Sequence, residues 1–417
     1  MKYFRDPVPS FRWYEPRRVV RDKTMEEQLR FAMCYWHTMR GSGGDPFGLP
    51  TMRRAWTTPR ETMDAAFELM TALGIKYWTF HDRDIAEIDD VPFAEGVKRL
   101  EDMVRYAEQK QRETGIRCLW GTAGLFAHPR YMSGAATNPD PHVFAYAAAQ
   151  VKHALEATHA LGGAGYVFWG GREGYETLLN TDMKREREQY ARFLSMAADH
   201  AQSIGFQGQL YIEPKPKEPT THQYDSDAEA CLNFLREFGL LGLLKLNIET
   251  NHATLAGHTM VHELRVAREA GALGSIDANV GDELLGWDTD QFMTDPWGAT
   301  LIMLEVLRMG GFTTGGLNFD AKVRRQSVDP ADLMHAHVGS MDAFARGLMI
   351  ADAIQRDGRL DAFVRDRYAG WGGNDAMFAT LEECEAFVRK RGEPPLRSGR
   401  QEWLESLMRE ISDGLRS

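Results

Sequence analysis

The chain has 417 residues, 43% hydrophobic and 26% charged, which suits either two ordinary domains or one large α/β barrel with an appendage. Lys and Arg total 49 against 60 Asp and Glu; the net charge of −11 is the wrong sign for a phosphate-backbone partner, and no nucleic acid is expected. No stretch approaches the roughly 20 apolar residues that cross a bilayer, and Met1-Lys2-Tyr3-Phe4-Arg5-Asp6-Pro7 breaks into charge and proline, so the expectation is no membrane, no secretory signal and a cytoplasmic location.

Residues 1–30 read as an N-terminal extension. Beyond them, short apolar runs alternate with helical patterns, the signature of a parallel α/β sheet. The runs are Phe31 to His37, Lys76 to Asp82, Arg117 to Ala123, Gly165 to Gly171, Gly208 to Lys215, Leu243 to Thr250, Leu273 to Asn279 and Gly315 to Ala321. Apolar spacings between them, such as Phe93, Val97, Leu100, Val104 and Ala107, predict helices with one face on a sheet. Seven of these segments finish at a glycine: Gly74, Gly115, Gly162, Gly205, Gly239, Gly271 and Gly310.

Eight strand-helix units predict a (β/α)₈ TIM barrel over residues 31–328, with a doubly wound open sheet as the competitor. Residues 329–417 then hold a last barrel helix, roughly Pro330 to Arg356, and a charged helical arm. Its scattered apolar residues, including Phe378, Leu381, Phe387, Trp403, Leu404 and Leu407, need a surface to lie on, so the arm is expected to embrace another subunit. Cys34, Cys118, Cys231 and Cys384 lack metal or disulfide spacing and read as reduced thiols. Gly41-Ser42-Gly43-Gly44 lacks the phosphate-loop pattern and reads as a turn.

Barrel chemistry sits at the C-terminal ends of strands, and the residues there are mostly acids. Glu213, Glu249, Asp277 and Asp320 end four different runs and would converge at one mouth. Like charges that close cannot all stay ionised without a cation. A single strand-end acid is more often a helix cap; four in succession point to a divalent metal. Oxygen-rich ligands with one histidine and no thiolate favour magnesium, manganese or cobalt over zinc. His252, three residues after Glu249, together with Asp288 and Asp290 supplies donors for a second ion.

His81 with Asp84 three residues on can form an oriented pair for proton transfer, although a structural hydrogen bond is the default for such a histidine. Lys215, two residues past Glu213, projects the same way, either as a surface ion pair or as a cation polarising a substrate oxygen. Thr122 also ends a strand, while Trp169 and Phe126 are either core aromatics or an apolar wall against a sugar ring.

Several long motifs resemble xylose isomerase: Phe80-His81-Asp82-Arg83-Asp84, Trp169-Gly170-Gly171-Arg172-Glu173-Gly174, Ile212-Glu213-Pro214-Lys215-Pro216-Lys217-Glu218-Pro219, Asn251-His252-Ala253-Thr254-Leu255-Ala256-Gly257-His258, Leu285-Gly286-Trp287-Asp288-Thr289-Asp290-Gln291-Phe292 and Gly315-Gly316-Leu317-Asn318-Phe319-Asp320-Ala321-Lys322. Tyr35-Trp36-His37-Thr38 and Asp45-Pro46-Phe47-Gly48 are similar to the longer, class II branch. The resemblance implies an aldose-ketose isomerase with two divalent cations per subunit, interconverting D-xylose and D-xylulose, and less efficiently D-glucose and D-fructose. It implies a homo-oligomer, a homotetramer or dimer joined through the arm.

Carried over, Glu213, Glu249, Asp277 and Asp320 would hold one ion, and His252, Asp288 and Asp290 would complete a second that shares Glu249. His81, oriented by Asp84, would assist ring opening, and Lys215 would hold the carbonyl oxygen while hydrogen passes directly between two carbons. Phe47 would reach into a neighbour's site to join Phe126 and Trp169 in excluding water, and Glu218-Pro219 would be cis. Trp120 and Val167 would crowd the extra carbon of a hexose, giving a pentose preference, and Thr122 joins the substrate-facing set. Gly124, Thr221 and Thr250 depart from residues usual in the family. The alternative is a related divalent-metal sugar isomerase or epimerase on the same barrel.

Overall fold

The computed structural model describes residues 2–43, 45, 47–372 and 378–415; Gly44 and Pro46, which fall in two of the motifs above, lie outside the described residues. Eight parallel strands close a barrel: β1 (Phe31–Cys34), β2 (Tyr77–His81), β3 (Arg117–Thr122), β4 (Gly165–Trp169), β5 (Gln209–Glu213), β6 (Leu244–Glu249), β7 (Leu273–Asp277) and β8 (Leu317–Phe319), paired in chain order with β8 against β1. The open sheet is thereby excluded.

The helices that follow the strands are α1 (Pro59–Leu73), α2 (Phe93–Thr114), α3 (Pro141–Ala160), α4 (Met183–Ser203), α5 (Ala228–Glu237), α6 (Met260–Glu269), α7 (Pro296–Arg308) and α8 (Pro330–Asp357). The seven predicted closing glycines all have φ between 64° and 90°, a region where a Cβ is strained. Helix starts follow ordinary capping chemistry: Thr58 and Glu61 form a capping box on α1, and the Asp295 carboxylate accepts from the backbone of Trp297 and Gly298 on α7.

The barrel interior is filled by Ala32, Tyr77, Leu119, Trp120, Val167 and Tyr211. The pairing of β2 with β3 skips Leu119, and that of β6 with β7 skips Gly274. Gly165 and Gly274 flank the Tyr211 ring so closely that a Cβ on either would sit 2.4 or 2.2 Å from a ring carbon. Large interior side chains thus leave the lower barrel solid and the mouth as the place for a site.

All eight strands are shorter than the predicted runs, the first and last by three and four residues. The chain leaves β1 after Cys34 and winds a π-helical turn over Trp36–Arg40, and β8 keeps only Leu317–Phe319 of its predicted run. The cause of the first is polar: the side chains of Trp36 and His37 turn inward to acids across the mouth.

At the N-terminus the backbone N–H groups of Lys2, Tyr3 and Phe4 donate to Glu68 on α1, and those of Arg12, Trp13 and Tyr14 donate to Asp342 on α8. After α8 stops at Gly358, the chain continues as α9 (Arg359–Tyr368), α10 (Leu381–Arg391) and α11 (Gln401–Gly414). Only Leu407 and Met408 of α11 are buried among these, while Leu381 and Leu396 stand open to solvent. All four cysteines are free thiols. No described helix is long and apolar enough to cross a membrane.

Candidate metal centre

One carboxylate oxygen from each of Glu213, Glu249, Asp277 and Asp320 lies within 4.8 Å of the others, and all four residues are buried. They end β5, β6 and β7 or follow β8: Glu249 pairs directly with Asp277, whereas Asp277 pairs with Asn318, two residues before Asp320, and the parallel strands bring all four to the C-terminal rim of the barrel. Asparagine amides hold them there. Asn247 Nδ2 donates at 2.8 Å to both Glu213 and Asp277, and Asn318 Nδ2 donates to Asp277 at 2.7 Å. Asn279 Nδ2 reaches Glu249 at 2.7 Å, and the Trp36 indole N–H reaches Asp320 at 2.7 Å.

Neutral donors alone do not relieve the charge. Burial, reinforced by neighbouring carboxylates, pushes Glu213, Glu249 and Asp320 well above the usual carboxylate range. Burial also takes Asp277 up to about 6, with Asn318 and Asn247 opposing the rise. A divalent cation would reverse this balance by rewarding the ionised form.

A second group adjoins the first through Glu249. Oxygens of Glu249, Asp288 and Asp290 lie within 4.8 Å of one another, as do donors of Glu213, Glu249 and His252. The His252 Nδ1–H donates to the Pro214 carbonyl at 2.9 Å, and Nε2 faces Glu249 at 3.0 Å and Asp288 at 3.3 Å. With Nδ1 committed to a backbone carbonyl, Nε2 is the nitrogen that a metal among these acids would take. The loop carrying Asp288 is tied back where its N–H donates to Glu218, beside the cis Glu218-Pro219 bond.

Lys215 departs from the surface-pair expectation: it is buried, and its Nζ donates to Asp288 at 2.6 Å. Despite desolvation, Asp288 and Asp290 hold its ammonium above the ordinary lysine range. Against the upward push of burial, Lys322 and His37 keep Asp290 well below the carboxylate range, Lys322 donating at 2.9 Å.

The opposite wall is aromatic. His81 Nδ1 donates to Asp84 at 2.8 Å, and the ring lies 4.3 Å from Trp36 and 5.5 Å from Phe126, centroid to centroid. Phe126 meets Trp169 edge to face at 4.5 Å. Trp120, Thr122 and Val167 complete a cleft of about 590 Å³ whose other side is Glu213, Glu249, His252, Asp288, Asp290 and Asp320. Asp277 and Lys215 lie beneath this lining, and Phe47 lies outside it, 86% exposed against Trp287.

Trp36, His37, Lys322 and the asparagines at 247, 251, 279 and 318 had no role in the sequence reading. Asn247, Asn279 and Asn318 stand two residues from Glu249, Asp277 and Asp320, so strand alternation was an available signal for them. The departures Gly124, Thr221 and Thr250 stay out of the cleft lining: a Cβ at Gly124 would meet Arg83 at 2.3 Å, Thr221 donates to Glu176, and Thr250 donates to the Asn279 carbonyl.

The family described as xylose isomerase-like TIM barrel matches residues 109–295, and the XylA2 C-terminal domain matches residues 364–411. The xylose isomerase of Rhodopirellula baltica is 54% identical, covering 97% of this chain and 95% of that protein. That of Dinoroseobacter shibae is 54% identical over 96% and 94%, and that of Histophilus somni 52% over the same shares. Among solved structures, D-psicose 3-epimerase from Clostridium cellulolyticum H10 superposes with a TM-score of 0.54 at 13% identity, covering 76% of this chain and 99% of that one, a likeness of fold alone.

Proposed function

The chain belongs to the xylose isomerase family, and from that premise we propose that it interconverts D-xylose and D-xylulose at the mouth of its barrel, with D-glucose and D-fructose as poorer substrates. The observation that carries the proposal is the meeting of acids from four consecutive strand ends, sharing Glu249 with a His252, Asp288 and Asp290 group, under a cleft that also holds the His81–Asp84 pair.

The donor set fits two divalent cations. Buried carboxylates lacking enough cationic side chains, with an imidazole whose Nε2 is turned towards them, are the chemistry of magnesium, manganese or cobalt sites. Glu213, Glu249, Asp277 and Asp320 would hold one; Glu249, His252, Asp288 and Asp290 would hold the other. When bound, these cations supply Lewis acidity that polarises sugar oxygens and stabilises developing alkoxide charge.

The chain's own groups do the rest. Asp84 accepts from His81 Nδ1, so Nε2 is the atom that takes and returns a proton as the sugar ring opens. Lys215 supplies a fixed positive charge for the carbonyl oxygen of the open chain. The O2 hydroxyl gives up its proton, the hydrogen on C2 of the aldose passes with its electron pair to C1, C2 becomes the carbonyl carbon and O1 takes up a proton, so that one proton is lost and one gained. Phe126 and Trp169 exclude water from that transfer, and Trp120 with Val167 narrows the space for a sixth carbon.

Further parts of this reading are a cytoplasmic homotetramer, joined by the helical arm that follows the last barrel helix within residues 329–417, in which Phe47 enters a neighbouring site. Exposed Phe47, Leu381, Leu396 and Trp371 support it as apolar groups that a copy would cover.

The test is to strip metal with a chelator and follow xylose-to-xylulose conversion as magnesium, manganese and cobalt are restored in turn. Loss and recovery are expected; activity surviving complete stripping overturns the proposal. Carried out in deuterium oxide, a hydride shift keeps solvent deuterium out of the transferred position, whereas deuterium appearing there indicates proton exchange of the epimerase kind.

A further inference from the structure

A second set of metal-type donors lies outside the cleft. One donor atom each from His258, His262 and Glu263 falls within 4.8 Å of the others. His258 ends the segment that follows the short helix Thr250–Leu255, and His262 and Glu263 lie in the first turn of α6. The two imidazole rings stand 4.9 Å apart at 73°, an arrangement in which a nitrogen of each can face one point.

Glu263 is buried and doubly held. One oxygen accepts from the backbone N–H of Ala228 at 2.7 Å, which starts α5, and the other faces His258 Nδ1 at 2.5 Å. The carboxylate is therefore fixed before any ligand arrives, whereas His262 is exposed and leaves one side open to solvent. Asp227 and Glu229 add negative charge that favours a cation here.

We propose that His258, His262 and Glu263 form a peripheral site for a borderline divalent cation such as zinc, cobalt or nickel. Two imidazoles and a carboxylate with an open fourth position match zinc's tetrahedral preference and discriminate against magnesium, which demands six oxygens. The ion takes the place of the proton shared by His258 and Glu263. By joining the end of the Thr250–Leu255 segment to α6 and, through Glu263, to α5, it braces the stretch that carries His252. A narrow cavity of about 190 Å³ bordered by Asp227, Glu249, His252 and Glu263 lies between this site and the main centre. The site is separate from the acids of the main centre and does not depend on the reading of their function.

The experiment dialyses full-length protein, in excess magnesium, against zinc chloride and counts zinc per subunit by mass spectrometry, with His262→Gln beside wild type. His262 is exposed, and its backbone N–H still bonds Thr259 in the variant, so folding is preserved. The variant is expected to hold one zinc fewer per subunit, and zinc should raise its melting temperature less than it raises that of wild type. His258→Gln repeats the comparison from the second ligand. Equal zinc counts in wild type and both variants overturn the site. If the main centre bound no metal, every count would fall alike and the difference of one would remain.

Discussion

The two halves of the barrel mouth are built from opposite chemistry. Strands β5 to β7 end in Glu213, Glu249 and Asp277, Asp320 follows β8, and Asp288 and Asp290 lie on the loop after β7. Strands β1 to β4 lead instead to Trp36, His81, Trp120, Phe126 and Trp169. An acidic half can grip ions but has no means of excluding water; an aromatic half can shape a sugar and keep it dry but, among the described residues, brings no metal-type cluster. Their placement face to face across one cleft suggests that ion binding and sugar selection can be altered separately.

The most severe test of that separation is Glu249→Gln, which removes the carboxylate shared by both ligand groups. Activity should fall by roughly 10³-fold or more, with cation binding weakened at both positions. Full occupancy of two ions per subunit in that variant, measured by metal analysis, would contradict the sharing.

A gentler cut in the same half is Asn247→Leu, which deletes the donor common to Glu213 and Asp277 without touching either ligand. Metal affinity should drop about 10–100-fold, and saturating metal should restore most of kcat. A kcat that stays low at saturation would assign Asn247 a role beyond positioning.

On the aromatic side, Trp120→Phe should leave metal affinity unchanged while moving the xylose-to-glucose ratio of kcat/KM towards glucose by on the order of tenfold. An unchanged ratio counts against steric selection, and altered metal binding would show the halves to be coupled.

The smallest effect concerns Asp82, a buried acid behind the aromatic wall that belongs to no metal-type cluster among the described residues. Burial raises it to about 6, opposed by donors from Gly124, Gln150 and Arg83. Because the folded-state value lies above the ordinary one, the stability this group contributes is full at acid pH and is lost as pH rises through about 6. Between pH 5 and 7 the melting temperature of wild type should therefore decline relative to Asp82→Asn; parallel curves would refute it.

The eight units were legible because each repeats the same physical marks: an apolar run, a helical period and a glycine at positive φ. The acids were legible because strand ends have only one functional direction in a barrel. The turn at Trp36–Arg40 was not, since its residues continue an apolar run and only the pull of Asp290 and Asp320 on His37 and Trp36 ends the strand. Lys215 was legible as a cation near the site, but its burial against Asp288 was not, because its partner lies 73 residues away. Lys322 stood in a recognised motif, yet its ion pair with Asp290 depends on how the 281–290 loop folds back.

Period and residue type pointed to the barrel, with an open sheet as competitor, and to the ring of acids, and weighed a His81–Asp84 pair against a structural hydrogen bond, since each depends on contacts within a few residues or on the repeating geometry of parallel strands. Which acids lie together, which nitrogen of His252 faces them and which amides restrain them became definite only when β5 to β8 came into register. Those properties belong to distances across the barrel, and electrostatic interaction falls off so steeply with distance and solvent that they have no value until folding has brought the groups together.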